Sequence, residues 1–355
     1  MNFHFLAGTR IGHLLKLLKN HKIHWTGKSL FRISSSVSWT LIMSPFNAIE
    51  KLLFGKKIAA QSLESPILII GHPRSGTTFL HYIMSKDSQF GFCNIAQCFA
   101  PYSFKLTGQL TTFFFKRMLP EKRQMDNLKM SYDMPFEEEF AMGNLGEQSM
   151  AIGYYFPQKI YEHFRKSVLL ETKEDKANWK KNWLWFLKKI SWLTNKRKLL
   201  LKSPYNVART NEILEIFPKA QFIYIYRDPI NVYVSSKHLL RKSFPELALQ
   251  KWNDALIQEF ILKSYKETMT QYQQEKENIP LGQLLELDFN EVVNNPMNTI
   301  KNIYEHFNLN LTDVALEKIK IEISSYKNYK QNDLSISPEE RKLLEIEWGD
   351  LINKL

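Results

Sequence analysis

The run Pro66-Ile67-Leu68-Ile69-Ile70-Gly71-His72-Pro73-Arg74-Ser75-Gly76-Thr77-Thr78-Phe79-Leu80 decides how this chain folds. Four apolar residues between a Pro and a Gly read as a buried parallel strand. The glycine-bearing turn then opens directly into a helix with apolar periodicity. Backbone N–H groups of such a turn, and the positive end of the helix behind it, converge on one point and make an anion cradle. Ser75, Thr77 and Thr78 add hydroxyl donors. Gly71 and Gly76 have the spacing of a nucleotide triphosphate loop, but Thr77 stands where that loop carries its lysine. Arg74 supplies a cation from inside the loop, and its planar fork suits a phosphate or sulfate.

Working outward, Leu199-Leu200-Leu201 and Phe222-Ile223-Tyr224-Ile225-Tyr226 read as two more strands, with a helix over Asn206 to Phe217 between them. Strand, helix and strand in that order form a βαβ unit. A fourth strand is expected at Leu284 to Phe289, with a helix near Met297 to Phe307. Ala177 to Trp192 and Glu246 to Lys276 read as further helices. The fold class is therefore α/β: a P-loop-like three-layer α/β/α arrangement with a central parallel sheet and helical insertions. We divide the chain into a basic N-terminal helical appendage (1–65), the α/β domain (66–325), and a C-terminal tail and helix packing on that domain (326–355).

Arg227 falls at the end of the third strand, and Ser235 lies eight residues on, within reach of a fold back across the intervening turn. Both would face the crevice where open α/β sheets bind ligands. Two separate anion sites imply a ligand with phosphates at two places.

On these residues the chain resembles the PAPS-dependent sulfotransferase family, PAPS being 3′-phosphoadenosine 5′-phosphosulfate. The loop His72-Pro73-Arg74-Ser75-Gly76-Thr77-Thr78 is similar to its 5′-phosphosulfate loop, and Arg227 to Ser235 to its 3′-phosphate element. Leu284 to Phe289 ahead of Asn295-Pro296 extends the likeness. The resemblance implies transfer of a sulfuryl group from PAPS, as co-substrate and without a metal, to a hydroxyl or amine. It assigns Arg74, Ser75, Gly76, Thr77 and Thr78 to the 5′ side, and Arg227 and Ser235 to the 3′-phosphate. An arginine in the loop brings the chain nearer the tyrosyl-protein and bacterial branches than the cytosolic one. The familiar bases are missing: Pro204 occupies the position of the cytosolic branch's His, and Asn94-Ile95-Ala96-Gln97 lies where the tyrosyl-protein branch carries a Glu.

A carboxylate could take the proton instead. Pro135-Phe136-Glu137-Glu138-Glu139-Phe140 is the densest acidic spot in the chain and, with Met125-Asp126-Asn127 before it, resembles a bacterial subgroup. Glu137 and Glu139 cannot share a helix face, so one of the two is expected at the site; we favour Glu137. The alternative is a first-turn cluster that complements the helix dipole. Lys202, at a strand end, is expected beside the bridging oxygen of the donor, or else facing solvent. Arg209 is placed near the 3′-phosphate. His72 is expected to shape the turn, His81 to pack, and Tyr326-Lys327-Asn328-Tyr329-Lys330 to form a surface turn or to close over the nucleotide.

Bulk composition bounds the partners. Of 355 residues, 48 are Lys or Arg and 36 Asp or Glu, a net charge of +12. Residues 1–49 hold no acid at all and six of those positive charges. Within them Ile11, Leu14, Leu15 and Leu18 recur at helical spacing, which fits an interfacial helix or one packed on the body. No motif for reading nucleic acid accompanies the charge, so the acceptor is expected to be a small molecule, lipid or glycan. Cys93 and Cys98 are too few for a disulfide framework, and no apolar run is long enough to span a bilayer. The expected location is the cytoplasm, with a peripheral contact at the inner membrane surface through the basic N-terminus left open. Two rival functions remain: a P-loop kinase or NTPase, and a catalytically inactive nucleotide-binding protein of the membrane surface.

Overall fold

In a computed structural model, which describes residues 4–123, 125–195, 197–327 and 334–352, five strands form one all-parallel sheet. They are β1 (Ile67–Ile70), β2 (Phe90–Gly91), β3 (Lys198–Lys202), β4 (Gln221–Tyr226) and β5 (Leu284–Asp288), in the order β2-β3-β1-β4-β5. The N-terminal helices are α1 (Ile11–Asn20) and α2 (Gly27–Ala59). After β1 come α3 (Thr77–Met84), α4 (Ile95–Phe99), α5 (Phe104–Met118), α6 (Glu138–Leu145), α7 (Met150–Tyr155), α8 (Ile160–Phe164) and α9 (Lys173–Leu193). Then follow α10 (Thr210–Ile216), α11 (Pro229–Leu247), α12 (Asp254–Glu275), α13 (Phe289–Asn294), α14 (Pro296–His306), α15 (Asp313–Ser324) and α16 (Pro338–Ile352).

Burial on both faces explains why β1 is apolar throughout. Leu68 and Ile70 point into one cluster with Trp179, Trp183 and Phe186 of α9. Ile67 and Ile69 point into the other, with Leu80 and Ile83 of α3 and Ile300 and Ile303 of α14. A side-chain period of two thus serves two helical layers at once. Because β1 lies between β3 and β4, the carboxyl ends of these strands are neighbours, with Ile69 opposite both Lys202 and Ile223. The anion loop therefore opens between the ends of the two strands that carry Lys202 and Arg227.

Two elements differ from the sequence reading. The helix expected over Asn206 to Phe217 is a 3₁₀ turn (Pro204–Ala208) followed by α10, interrupted at Arg209, whose side chain turns into the core. The stretch Glu246 to Lys276 breaks between α11 and α12, where the Asn253 side chain accepts from the Leu256 N–H and starts the second helix. α1 packs on the body through Leu14 and Leu17, while Leu15, counted on its apolar stripe, faces solvent. At the other end α16 buries Leu344, Trp348 and Leu351, and the Trp348 indole donates to the Leu262 carbonyl at 3.0 Å. Asn328, Tyr329 and Lys330 lie outside the described residues.

Candidate functional site

The loop between β1 and α3 is held in a conformation few side chains adopt. Arg74 has φ 81° and Gly76 φ 88°, both left-handed. For an arginine that conformation costs about 1–2 kcal/mol, and three contacts hold it: the Arg74 Nε donates to Ser235 Oγ (2.9 Å), its Nη1 pairs with Asp126 (2.9 Å), and Arg227 Nη1 donates to the Arg74 carbonyl (2.8 Å). Gly76 is required for space as well, because a Cβ there would sit 2.8 Å from the Phe289 ring. In the first turn of α3 the Phe79 and Leu80 N–H groups return to the Gly76 carbonyl, which leaves those of Thr77 and Thr78 without a backbone acceptor, and the buried Ser75 Oγ has no partner either.

The family resemblance assigns Arg74 to the 5′ side and Ser235 to the 3′-phosphate; in the structure the Arg74 guanidinium meets Ser235. Two other cations meet the first residues of α3. Thr78 Oγ1 accepts from Lys202 Nζ at 3.3 Å and from Arg123 Nη1 at 3.3 Å. Arg123 also pairs with Asp126 at 3.2 Å, so one carboxylate links it to Arg74. Burial works against ionising Asp126, but Arg123 and Arg74 outweigh it and hold the carboxyl below its ordinary range. Arg227 lies over the Phe289 ring, 4.1 Å from its centroid, which orients the guanidinium.

Glu137 is brought to this cluster from 65 residues before Lys202. A short antiparallel bridge between Asn94 and Pro135, with the Phe136 N–H donating to the Cys93 carbonyl at 2.8 Å, fixes the chain just before it. The two buried thiols reinforce the same backbone: Cys93 Sγ donates to the Phe136 carbonyl (3.3 Å) and Cys98 Sγ to that of Glu137 (3.5 Å). Glu137 is the N-cap residue of α6, yet its side chain makes no capping bond. Its carboxylate accepts instead from Lys202 Nζ. Burial pulls the Lys202 ammonium below the usual lysine range, against the opposing pull of Glu137. Beside them the Tyr154 and Tyr205 hydroxyls share a hydrogen bond, and burial pushes both above the ordinary phenol range.

The other two acids of the cluster point into the protein. Glu139 is the correction to a candidate catalytic residue: its carboxylate is fully buried and taken up by Arg209 (2.8 Å), Ser203 (3.2 Å) and the Met150 N–H (2.7 Å). Arg209, expected near the 3′-phosphate, is that carboxylate's counter-ion inside the core. Glu138 accepts from Asn206 at 2.9 Å, and burial raises it to about 7. His72 is buried, lowered to about 4 by desolvation, and its Nδ1 contacts the Pro73 carbonyl. His81 meets the Leu200 carbonyl at 3.4 Å, away from the cleft.

The charged residues around the loop line one cavity of about 1000 Å³. Pro73, Arg74, Gly76, Thr77, Thr78, Glu137, Lys202, Arg227 and Ser235 face it; His72, Ser75 and Glu139 do not. One end is charged. The other is apolar, lined by Phe5, Ile95, Leu119, Met130, Met134 and Phe140. Arg123, Tyr154 and Tyr205 carry no signal in local sequence, since each becomes a site residue only through a long-range contact. Among the described residues no group of three or more His, Cys, Asp or Glu side chains is placed to hold a metal ion.

The sulfotransferase family model matches residues 66–313. The omega-hydroxy-beta-dihydromenaquinone-9 sulfotransferases Stf3 of Mycobacterium bovis and Mycobacterium tuberculosis are each 26% identical over 337 residues, covering 94% of this chain and 85% of theirs. Among solved structures, sulfotransferase STF9 from Mycobacterium avium superposes with a TM-score of 0.70 at 15% identity, covering 98% of this chain and 97% of its own. Sulfotransferase STF1 from Mycobacterium tuberculosis gives 0.69 at 14%, covering 96% and 91%; at such identities the likeness establishes the fold. With the family model spanning well over half of its length, this chain belongs to the sulfotransferase family and is an enzyme of sulfuryl transfer from PAPS.

Proposed function

We propose that Glu137 is the general base and that the acceptor is a hydroxyl borne on an apolar, lipid-like molecule. One observation carries the reading: Lys202 Nζ bonds both Thr78 of the anion loop and the Glu137 carboxylate, which joins donor site and base through one ammonium. In it the loop amides, Thr77, Thr78 and Arg123 hold the 5′-phosphosulfate. Arg74, Arg227 and Ser235 hold the 3′-phosphate, which competes with Asp126 for the Arg74 guanidinium.

The acceptor oxygen attacks sulfur in line as the bond from sulfur to the bridging oxygen of the 5′-phosphate breaks. Glu137 takes the hydroxyl proton. Lys202 meets the charge that develops on the bridging oxygen, in a site dry enough for that charge to count. Adenosine 3′,5′-bisphosphate and a sulfate ester leave. Four side-chain cations already surround the phosphate positions, so the reading needs no divalent metal. The apolar end of the cavity supports the acceptor class, as does the hydroxylated menaquinone in the names of the mycobacterial relatives. Contact with a membrane surface, where such molecules reside, belongs to the same reading.

Incubation with [³⁵S]PAPS and a panel of alcohols tests it, from sugars to ω-hydroxy isoprenoid quinones, each with and without EDTA. Label is expected on the long apolar alcohols, undiminished by EDTA. Label confined to sugars, or transfer lost to EDTA and restored by magnesium, rejects the corresponding half of the proposal.

A further inference from the structure

α2 is amphipathic in the wrong sense for a helix of a water-soluble surface. Its buried face is mostly polar: Ser29, Arg32, Ser36, Thr40 and Glu50 point inward, beside Met43 and Ile58. Its outward face carries Leu30, Phe31, Leu41, Ile42, Leu52 and Leu53, all more than half exposed, with Leu52 at 83%. At about 100° per residue these six fall within an arc of roughly 140°, opposite the buried set. The inversion is built in, because Ser29, Arg32, Thr40 and Glu50 each have a dedicated partner, Ser36 Oγ being without one. Arg32 donates to the Pro245 carbonyl at 3.0 Å and Thr40 to that of Ala7 at 3.1 Å. Glu50 pairs with the buried Lys189 and accepts from the Leu106 N–H at 2.9 Å.

That last bond joins α2 to α5, whose buried face is mixed. Thr107 and Thr111 are buried beside Phe104 and Phe115 and bond back to their own helix, while Leu106, Leu110 and Phe113 are exposed. Charge identifies what this surface fits. The sole acid of either helix is the buried Glu50, whereas Lys28, Lys51, Lys56 and Lys57 on α2 and Lys105, Lys116 and Arg117 on α5 are exposed. A second copy would bring these like charges together; an anionic lipid leaflet complements them, with the ammonium groups at headgroup level and the apolar stripe below.

We infer that the outward faces of α2 and α5 form a docking surface for an anionic bilayer. α2 is about 50 Å long at 1.5 Å per residue, so it would lie along the membrane and not across it; no helix among the described residues is long and apolar enough to span one. Resting on the lipid-like acceptor proposed above, docking also has a use: α5 leads into Leu119 and Pro120, which line the apolar end of the cavity.

Flotation of the full chain with phosphatidylcholine vesicles, with and without phosphatidylglycerol, tests the surface without any acceptor. The wild type is expected to bind the anionic vesicles and to lose binding as salt rises. Leu41→Gln with Leu52→Gln should weaken binding at least tenfold, while adenosine 3′,5′-bisphosphate affinity and the thermal midpoint stay unchanged. A thiol probe on Leu52→Cys should shift to the blue with these vesicles, and one on Lys320→Cys of α15 should not, the natural cysteines being buried. Absence of wild-type binding, equal binding by the Gln variant, or a solution dimer that the Gln variant splits would each overturn the proposal. Vesicle binding by a chain that sulfates only sugars would keep the surface and discard the acceptor.

Discussion

Arg227→Ala separates the two ends of the donor. Arg227 makes two kinds of contact: its guanidinium stands over Phe289, and its Nη1 donates to the Arg74 carbonyl of the loop. The first orients the guanidinium that the proposed function gives to the 3′-phosphate, so only a ligand carrying that phosphate loses a bond to it. A hydrogen bond to a charged group contributes about 1.5–3 kcal/mol, which is roughly a ten- to hundredfold change in affinity. The second serves every ligand of the loop, because it holds Arg74 in its left-handed conformation; an ordinary hydrogen bond of about 0.5–1.5 kcal/mol gives two- to tenfold. Calorimetry should therefore find that adenosine 3′,5′-bisphosphate loses at least tenfold more affinity than 5′-AMP. Ser235→Ala should act in the same direction more weakly, since it removes a neutral partner of Arg74. Equal losses for both nucleotides in Arg227→Ala would refute the assignment, reducing Arg227 to a brace for the loop.

Two further outcomes follow from single residues. Burial raises Glu138 from the ordinary 4.5 to about 7; the protonated acid is the form the fold prefers, so its stability is full below pH 4.5 and is lost as pH rises through 7. The shift corresponds to ~3 kcal/mol, and Glu138→Gln should abolish that fall, gaining in thermal midpoint relative to wild type between pH 5 and pH 8; parallel curves for the two proteins would contradict it. Gly76→Ala should lower stability by about 2 kcal/mol, combining the cost of a left-handed non-glycine with the 2.8 Å approach of its Cβ to Phe289, and denaturant titration that shows no change would mean the loop can relax.

Much of the frame is legible in the sequence because buried parallel strands are continuous apolar runs. β1, β3 and β4 announce themselves so; the edge strand β5 keeps Leu284, Leu285 and Leu287 but carries an exposed Glu286, and β2 is only Phe90 and Gly91 with no pattern to read. The anion loop is legible for another reason: a turn that must cradle charge needs glycine and hydroxyl residues in a fixed order. Strand order is not written locally, and with it goes the neighbourhood of Thr78, Lys202 and Arg123. Helix geometry separates Glu137 from Glu139, but which one faces the cleft depends on Arg209, which claims Glu139 from the far side of the core. α2 misleads periodicity over most of its length. An apolar stripe is ordinarily the buried one; here the polar stripe is buried, because Lys189, Ala7 and Pro245 offer it partners.

The central claim is that Glu137, held to the donor site by Lys202, removes the acceptor's proton. Its most direct test is the single-turnover rate of label transfer from [³⁵S]PAPS to an ω-hydroxy isoprenoid quinone, comparing Glu137→Gln with wild type. Adenosine 3′,5′-bisphosphate affinity and thermal midpoint are measured on the same samples. The account predicts a stable protein with wild-type nucleotide affinity and a rate lower by about a hundredfold or more. A stable, nucleotide-binding Glu137→Gln protein that transfers label at the wild-type rate would contradict it.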